Sequence, residues 1–127
     1  MKNYKRIAAG ALAAAAVLVP SAARADTPYA QASAKVEMDG SVSRSKHISD
    51  VWHVSKGTYC VAVDEHVNLD GAVAVHATPV GLYNAARTLS VEVGGAPCGW
   101  GRDDIIAVYS RVASRVPADT AFYLTVS

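Results

Sequence analysis

From Ala34 onward, apolar and polar side chains alternate in short runs rich in Val, Ile, Thr and Tyr, and clusters of Gly, Asp, Asn or Pro separate the runs. A period of two sends successive side chains to opposite faces of an extended chain, so the pattern predicts strands bounded by turns. The runs lie near Lys35–Met38, Ser41–Arg44, Ile48–Ser55, Thr58–Val63, Ala72–Thr78, Thr88–Val93, Ile105–Ser110 and Ala121–Val126. Asp39-Gly40, Lys56-Gly57 and Asp70-Gly71 fall between runs, where tight hairpins want a residue that accepts positive φ. Gly94-Gly95-Ala96-Pro97 ends another run, because proline has no N–H for a ladder.

Alternation also assigns faces. Tyr59, Val61 and Val63 share one side and Cys60 and Ala62 the other; Val73, Val75 and Ala77 oppose Ala72, Ala74 and His76; Leu89, Val91 and Val93 oppose Ser90 and Glu92. Phe122, Leu124 and Val126 face inward on the last run, with Tyr123 and Thr125 outward. Strands apolar on one face pack as two layers, so the predicted fold is all-β, an antiparallel two-sheet β-sandwich of about seven or eight strands. Leu82 to Thr88 has spacing for one helical turn at most.

The N-terminus follows a different rule. Lys2, Lys5 and Arg6 precede an uncharged run from Ile7 to Val19, and Ala23-Arg24-Ala25 carries small residues at the two positions a signal peptidase reads. The run is shorter than the roughly 20 residues of a membrane-spanning helix. The expected organisation is therefore a signal peptide over 1–25, cut before Asp26, a flexible leader over 26–33, and the β-sandwich domain over 34–127. The product is expected to be secreted and extracellular, with no membrane attachment after cleavage.

Removing the signal changes the charge. Eight basic and eleven acidic residues follow Ala25, a net charge of −3 against +1 for the whole chain. Lys35, Arg44, Lys46, Lys56, Arg87, Arg102, Arg111 and Arg115 are scattered, whereas nucleic-acid binding needs a concentrated positive surface. No nucleic-acid partner is expected. In an oxidising compartment Cys60 and Cys98 are expected to form a disulfide, two free thiols being the alternative. Closing a loop of that length stabilises a fold by about 4 kcal/mol, less any strain.

The order Val36-x-x-Asp39-Gly40-x-Val42-x-Arg44-Ser45, Gly57-x-Tyr59-x-Val61, Ala77-Thr78 and Phe122-Tyr123-Leu124-Thr125-Val126, with Asp119 before the last run, resembles small exported or phage-associated β-sandwich domains of actinobacteria. The resemblance covers Val36 to Val126 and implies a sandwich. It brings no activity, because one sandwich hosts many roles.

Candidate chemistry is sparse. The histidines, His47, His53, His66 and His76, show no pair at i, i+2 or i, i+4, the spacings that bring two ligands of one element together. Asp64-Glu65-His66 reads as a solvated loop, and His53 and His76 as sheet-face histidines. No serine sits in a Gly-x-Ser-x-Gly elbow. Asp103-Asp104 with Asp64, Glu65 or Asp70 offers carboxylates for a loop calcium or a glycosidase pair, without EF-hand spacing. No catalytic residue, metal or cofactor is expected.

Gly99-Trp100-Gly101-Arg102 stands apart. An aromatic between glycines with an arginine nearby suits a recognition surface, which makes Trp100 and Arg102 the candidate ligand-binding residues. The competing reading has Trp100 fold back over the end of the sandwich and shield the disulfide. The function expected is a non-catalytic extracellular binding or structural module, monomer or weak dimer, whose partner is an extracellular protein or a cell-surface glycan. The alternatives are an exported enzyme inhibitor or effector presenting the tethered loop, and a small exported hydrolase.

Overall fold

The computed structural model describes residues 29–127, so the expected signal peptide lies outside the described residues. Eight strands follow: β1 Ala32–Val36, β2 Val42–Lys46, β3 Ile48–Ser55, β4 Thr58–Val63, β5 Val75–Val80, β6 Arg87–Val93, β7 Ile105–Val112 and β8 Ala121–Val126. They form two four-stranded antiparallel sheets, β2-β1-β8-β5 and β3-β4-β7-β6. The all-β two-sheet sandwich read from the alternation is the observed fold. A 3₁₀ turn at Ala96–Cys98 interrupts the strands; the helical turn allowed at 82–88 does not form.

Two boundaries differ from expectation, each for a local reason. The chain is tied into the fold before residue 34: Ala30 is buried, the Gln31 N–H donates to the Val126 carbonyl at 2.7 Å, and β1 begins at Ala32. The leader expected over 26–33 therefore ends sooner. Alanine is a weak strand former, so Ala30, Ala32 and Ala34 carried little signal although their small side chains fit the core face. β5 begins three residues later than its run predicts and continues through Pro79 to Val80. It is the outer strand of its sheet, bonded only to β8, and an edge strand tolerates a missing N–H.

The inward faces meet in one core. Ala32, Ala34 and Val36 from β1, Tyr59, Val61 and Val63 from β4, Ile106 and Val108 from β7, and Phe122, Leu124 and Val126 from β8 are all buried within it. Leu89 packs against this core, but Val91 and Val93 remain 36% and 43% exposed because β6 is the edge of its sheet. Removing the central side chains from water supplies the main drive for folding.

A cluster of polar and aromatic side chains closes one end of this core. Tyr59 is fully buried, edge-on to Phe122 with ring centroids 5.2 Å apart, and its hydroxyl donates to the Met38 carbonyl at 2.7 Å. The Asp119 carboxylate accepts the Gly57 N–H at 2.7 Å and lies 2.8 Å from His53 Nε2, while the His53 ring stacks on Tyr59 at 4.7 Å. Thr120 is buried beside them, its hydroxyl 2.6 Å from that of Ser110 and accepting from Arg87 Nε at 3.0 Å. Among the described residues every buried side-chain polar atom has a partner, as a buried polar cluster requires.

Candidate binding loop

The outward faces of β4 and β7 carry Cys60, Ala62, Ile105 and Ala107, all buried although they lie on the outside of their sheet. Small apolar side chains on an outer face need a cover. The β6–β7 connection supplies it by folding back across the sheet, and Cys98 in its 3₁₀ turn is bonded to Cys60, 38 residues earlier. The expected disulfide is present. Trp52 and Tyr109 pack against the same cluster.

The fold-back brings the chain to the surface at Trp100. Gly99 and Gly101 adopt φ of 116° and 76°, values that a side chain opposes, and together they turn the indole outward. Trp100 is 87% exposed. It does not shield the disulfide; Trp52 and Tyr109 already occupy the space beside it. Arg102 holds the far end of the loop, donating from Nε and Nη2 to the two oxygens of Asp104 at 3.1 and 2.8 Å. This two-pronged hydrogen bond raises the Arg102 pKa and holds the Asp104 carboxyl below its ordinary range. Arg102 is thus engaged within its own chain, with its side chain 48% exposed, and Trp100 is the more exposed of the pair.

Asp103 and Asp104 lead from this loop into an open cleft of about 430 Å³ that Asp64, Glu65 and Asp70 also line. The carboxylates singled out in the sequence are therefore neighbours in space. Two of the five are already engaged, Asp104 by Arg102 and Asp64 by histidines.

Those histidines are the feature the spacing did not reveal. His47 Nδ1 lies 3.1 Å from Asp64 Oδ2, and His66 Nδ1 lies 3.1 Å from Asp64 Oδ1. The imidazoles face each other with centroids 4.6 Å apart. Burial raises the Asp64 pKa, but hydrogen bonds from the His66 N–H and the two imidazoles outweigh it, so the carboxyl stays below its usual value. The signal was in the hairpin: β3 and β4 pair with Ile48 opposite Val63, which sets His47 opposite Asp64. His53 is engaged by Asp119, and His76 is exposed on β5.

Among the described residues no helix is long and apolar enough to cross a membrane. No family model, curated protein or solved structure matches the chain.

Proposed function

We propose that this chain is an exported, non-catalytic binding module that contacts an extracellular protein or a cell-surface glycan through Trp100. The observation that carries this reading is the 87% exposure of Trp100 on a loop tethered by the Cys60–Cys98 disulfide. A large aromatic held out on a short tethered loop buries much area on contact, and the tether limits the conformational freedom lost in doing so. The basic, apolar and small-residue segments before Asp26 support export, as does the buried disulfide. The motif order from Val36 to Val126 supports grouping the chain with small exported β-domains of actinobacteria.

An inhibitor or effector would use the same loop against an enzyme, and the tether favours it as the second reading. Both are tested by screening the protein against immobilised polysaccharides, cell-wall fractions and secreted enzymes, in parallel with Trp100→Ala. Truncating a central aromatic contact costs about 2 kcal/mol or more, a loss of roughly 30-fold in affinity. Retention of every detected interaction by Trp100→Ala would reject the reading. Binding to glycans favours the module, and inhibition of an enzyme favours the effector.

A further inference from the structure

We propose that His47, Asp64 and His66 form a binding site for a zinc-class divalent transition metal. The site is independent of Trp100, and its failure would leave the binding reading untouched. One donor atom from each residue lies within 4.8 Å of those of the other two. Each imidazole Nδ1 is aimed at a different oxygen of the same carboxylate, both at 3.1 Å, so the two imidazoles are gathered around Asp64.

The backbone brings the donors there. His47 is the single residue between β2 in one sheet and β3 in the other, and its φ of 55° turns the chain across the sandwich. Its carbonyl accepts the Asp64 N–H at 3.1 Å, locking that corner to the end of β4. His66 follows on a tight turn in which Asp64 Oδ1 accepts its N–H at 2.8 Å, and the Val67 N–H donates to the Asp64 carbonyl at 3.1 Å. Main-chain groups of all three ligands thus take part in the hydrogen bonds around Asp64.

The donor set selects the metal class. Two imidazoles and one carboxylate suit zinc, copper or nickel, whereas calcium and magnesium prefer oxygen ligands alone. Zinc bonds of about 2.0–2.2 Å put neighbouring tetrahedral donors about 3.4 Å apart, against the 4.8 Å within which the three donor atoms already lie. The remaining adjustment is to draw the donors together, and His66, with its side chain 62% exposed, has room to rotate. Three protein ligands leave a position open to water or to a partner's side chain.

Zinc titration of tag-free protein against a chromophoric chelator tests the site. One zinc per chain is expected, with calcium failing to compete. His66→Ala and Asp64→Asn are each expected to weaken zinc binding on the order of 100-fold, since even outer-shell changes cost 10–100-fold. Both spare the fold: His66 is exposed, and an asparagine Oδ1 keeps the turn. His76→Ala, on an exposed face of β5, should bind as the parent does. In proton spectra, zinc should move the ring signals of His47 and His66 and leave those of His53 and His76 in place. No retained zinc, zinc binding that survives His66→Ala, or displacement of zinc by calcium would each overturn the site.

Discussion

The Thr120 N–H donates to the hydroxyl of Tyr59 at 3.1 Å, joining the start of β8 in one sheet to β4 in the other. Both residues are fully buried. The same hydroxyl donates to the Met38 carbonyl beside the β1–β2 hairpin, so one oxygen serves three chain segments. Tyr59→Phe leaves an amide and a carbonyl without this partner and should cost about 1–3 kcal/mol, read from urea unfolding.

The buried phenol also predicts alkaline sensitivity. Burial is the main cause that pushes the Tyr59 pKa from 10.0 up to about 12. A proton held more tightly in the folded state stabilises it fully below pH 10, and that contribution disappears as pH rises from 10 through 12. Two pKa units correspond to about 2–3 kcal/mol. Urea midpoints at pH 8, 10 and 12 should fall for the parent and fall less for Tyr59→Phe. Tyr109 is shifted in the same direction, and the comparison isolates Tyr59 from it.

Gly57 and Gly71 separate backbone strain from steric clash. Gly57 has φ of 75°, and a Cβ there would sit 2.5 Å from the Ser110 carbonyl oxygen and 2.9 Å from the Ala118 nitrogen. Gly71 has φ of 86° but open space around it. Gly71→Ala should cost only the left-handed penalty of about 1–2 kcal/mol, and Gly57→Ala clearly more, because backbone rather than a flexible side chain must move. Thermal unfolding of the two variants side by side checks the order.

Reduction of Cys60–Cys98 should lower stability by about 4 kcal/mol on the chain-entropy account. Neither cysteine belongs to the core between the sheets. The far-ultraviolet spectrum should therefore remain that of a β protein after reduction, while the denaturation midpoint falls.

The two tryptophans should behave oppositely. Trp100→Ala removes a side chain that is 87% exposed and should change stability by no more than about 0.5 kcal/mol. Trp52→Ala strips packing from the cluster around the disulfide and should cost about 1.5–3 kcal/mol. Acrylamide should quench Trp100 emission strongly and Trp52 emission weakly.

Strand periodicity made most of the fold legible. The faces of β4 and β8 follow from alternation alone, because both strands lie inside their sheets and every inward position is covered. It failed where composition is mute or neighbours decide. Ala30 to Ala34 carries no branched side chain to announce a strand, and Val91 and Val93 have the right parity but sit on an edge. The same reasoning covers the candidate sites. The Gly-Trp-Gly stretch admits an inward or an outward indole, and the choice falls to Trp52 and Tyr109, which already flank the disulfide. His47 and Asp64 meet only through hairpin register, which spacing within one element cannot express.

The sulfur bridge fastens the Trp100 segment to the exterior of one sheet and makes no link between the layers. The exposed side chains of Trp100 and Arg102 can therefore be exchanged without repacking the protein's interior. Any such change leaves the two layers, and the anchor beneath the tip, as they are.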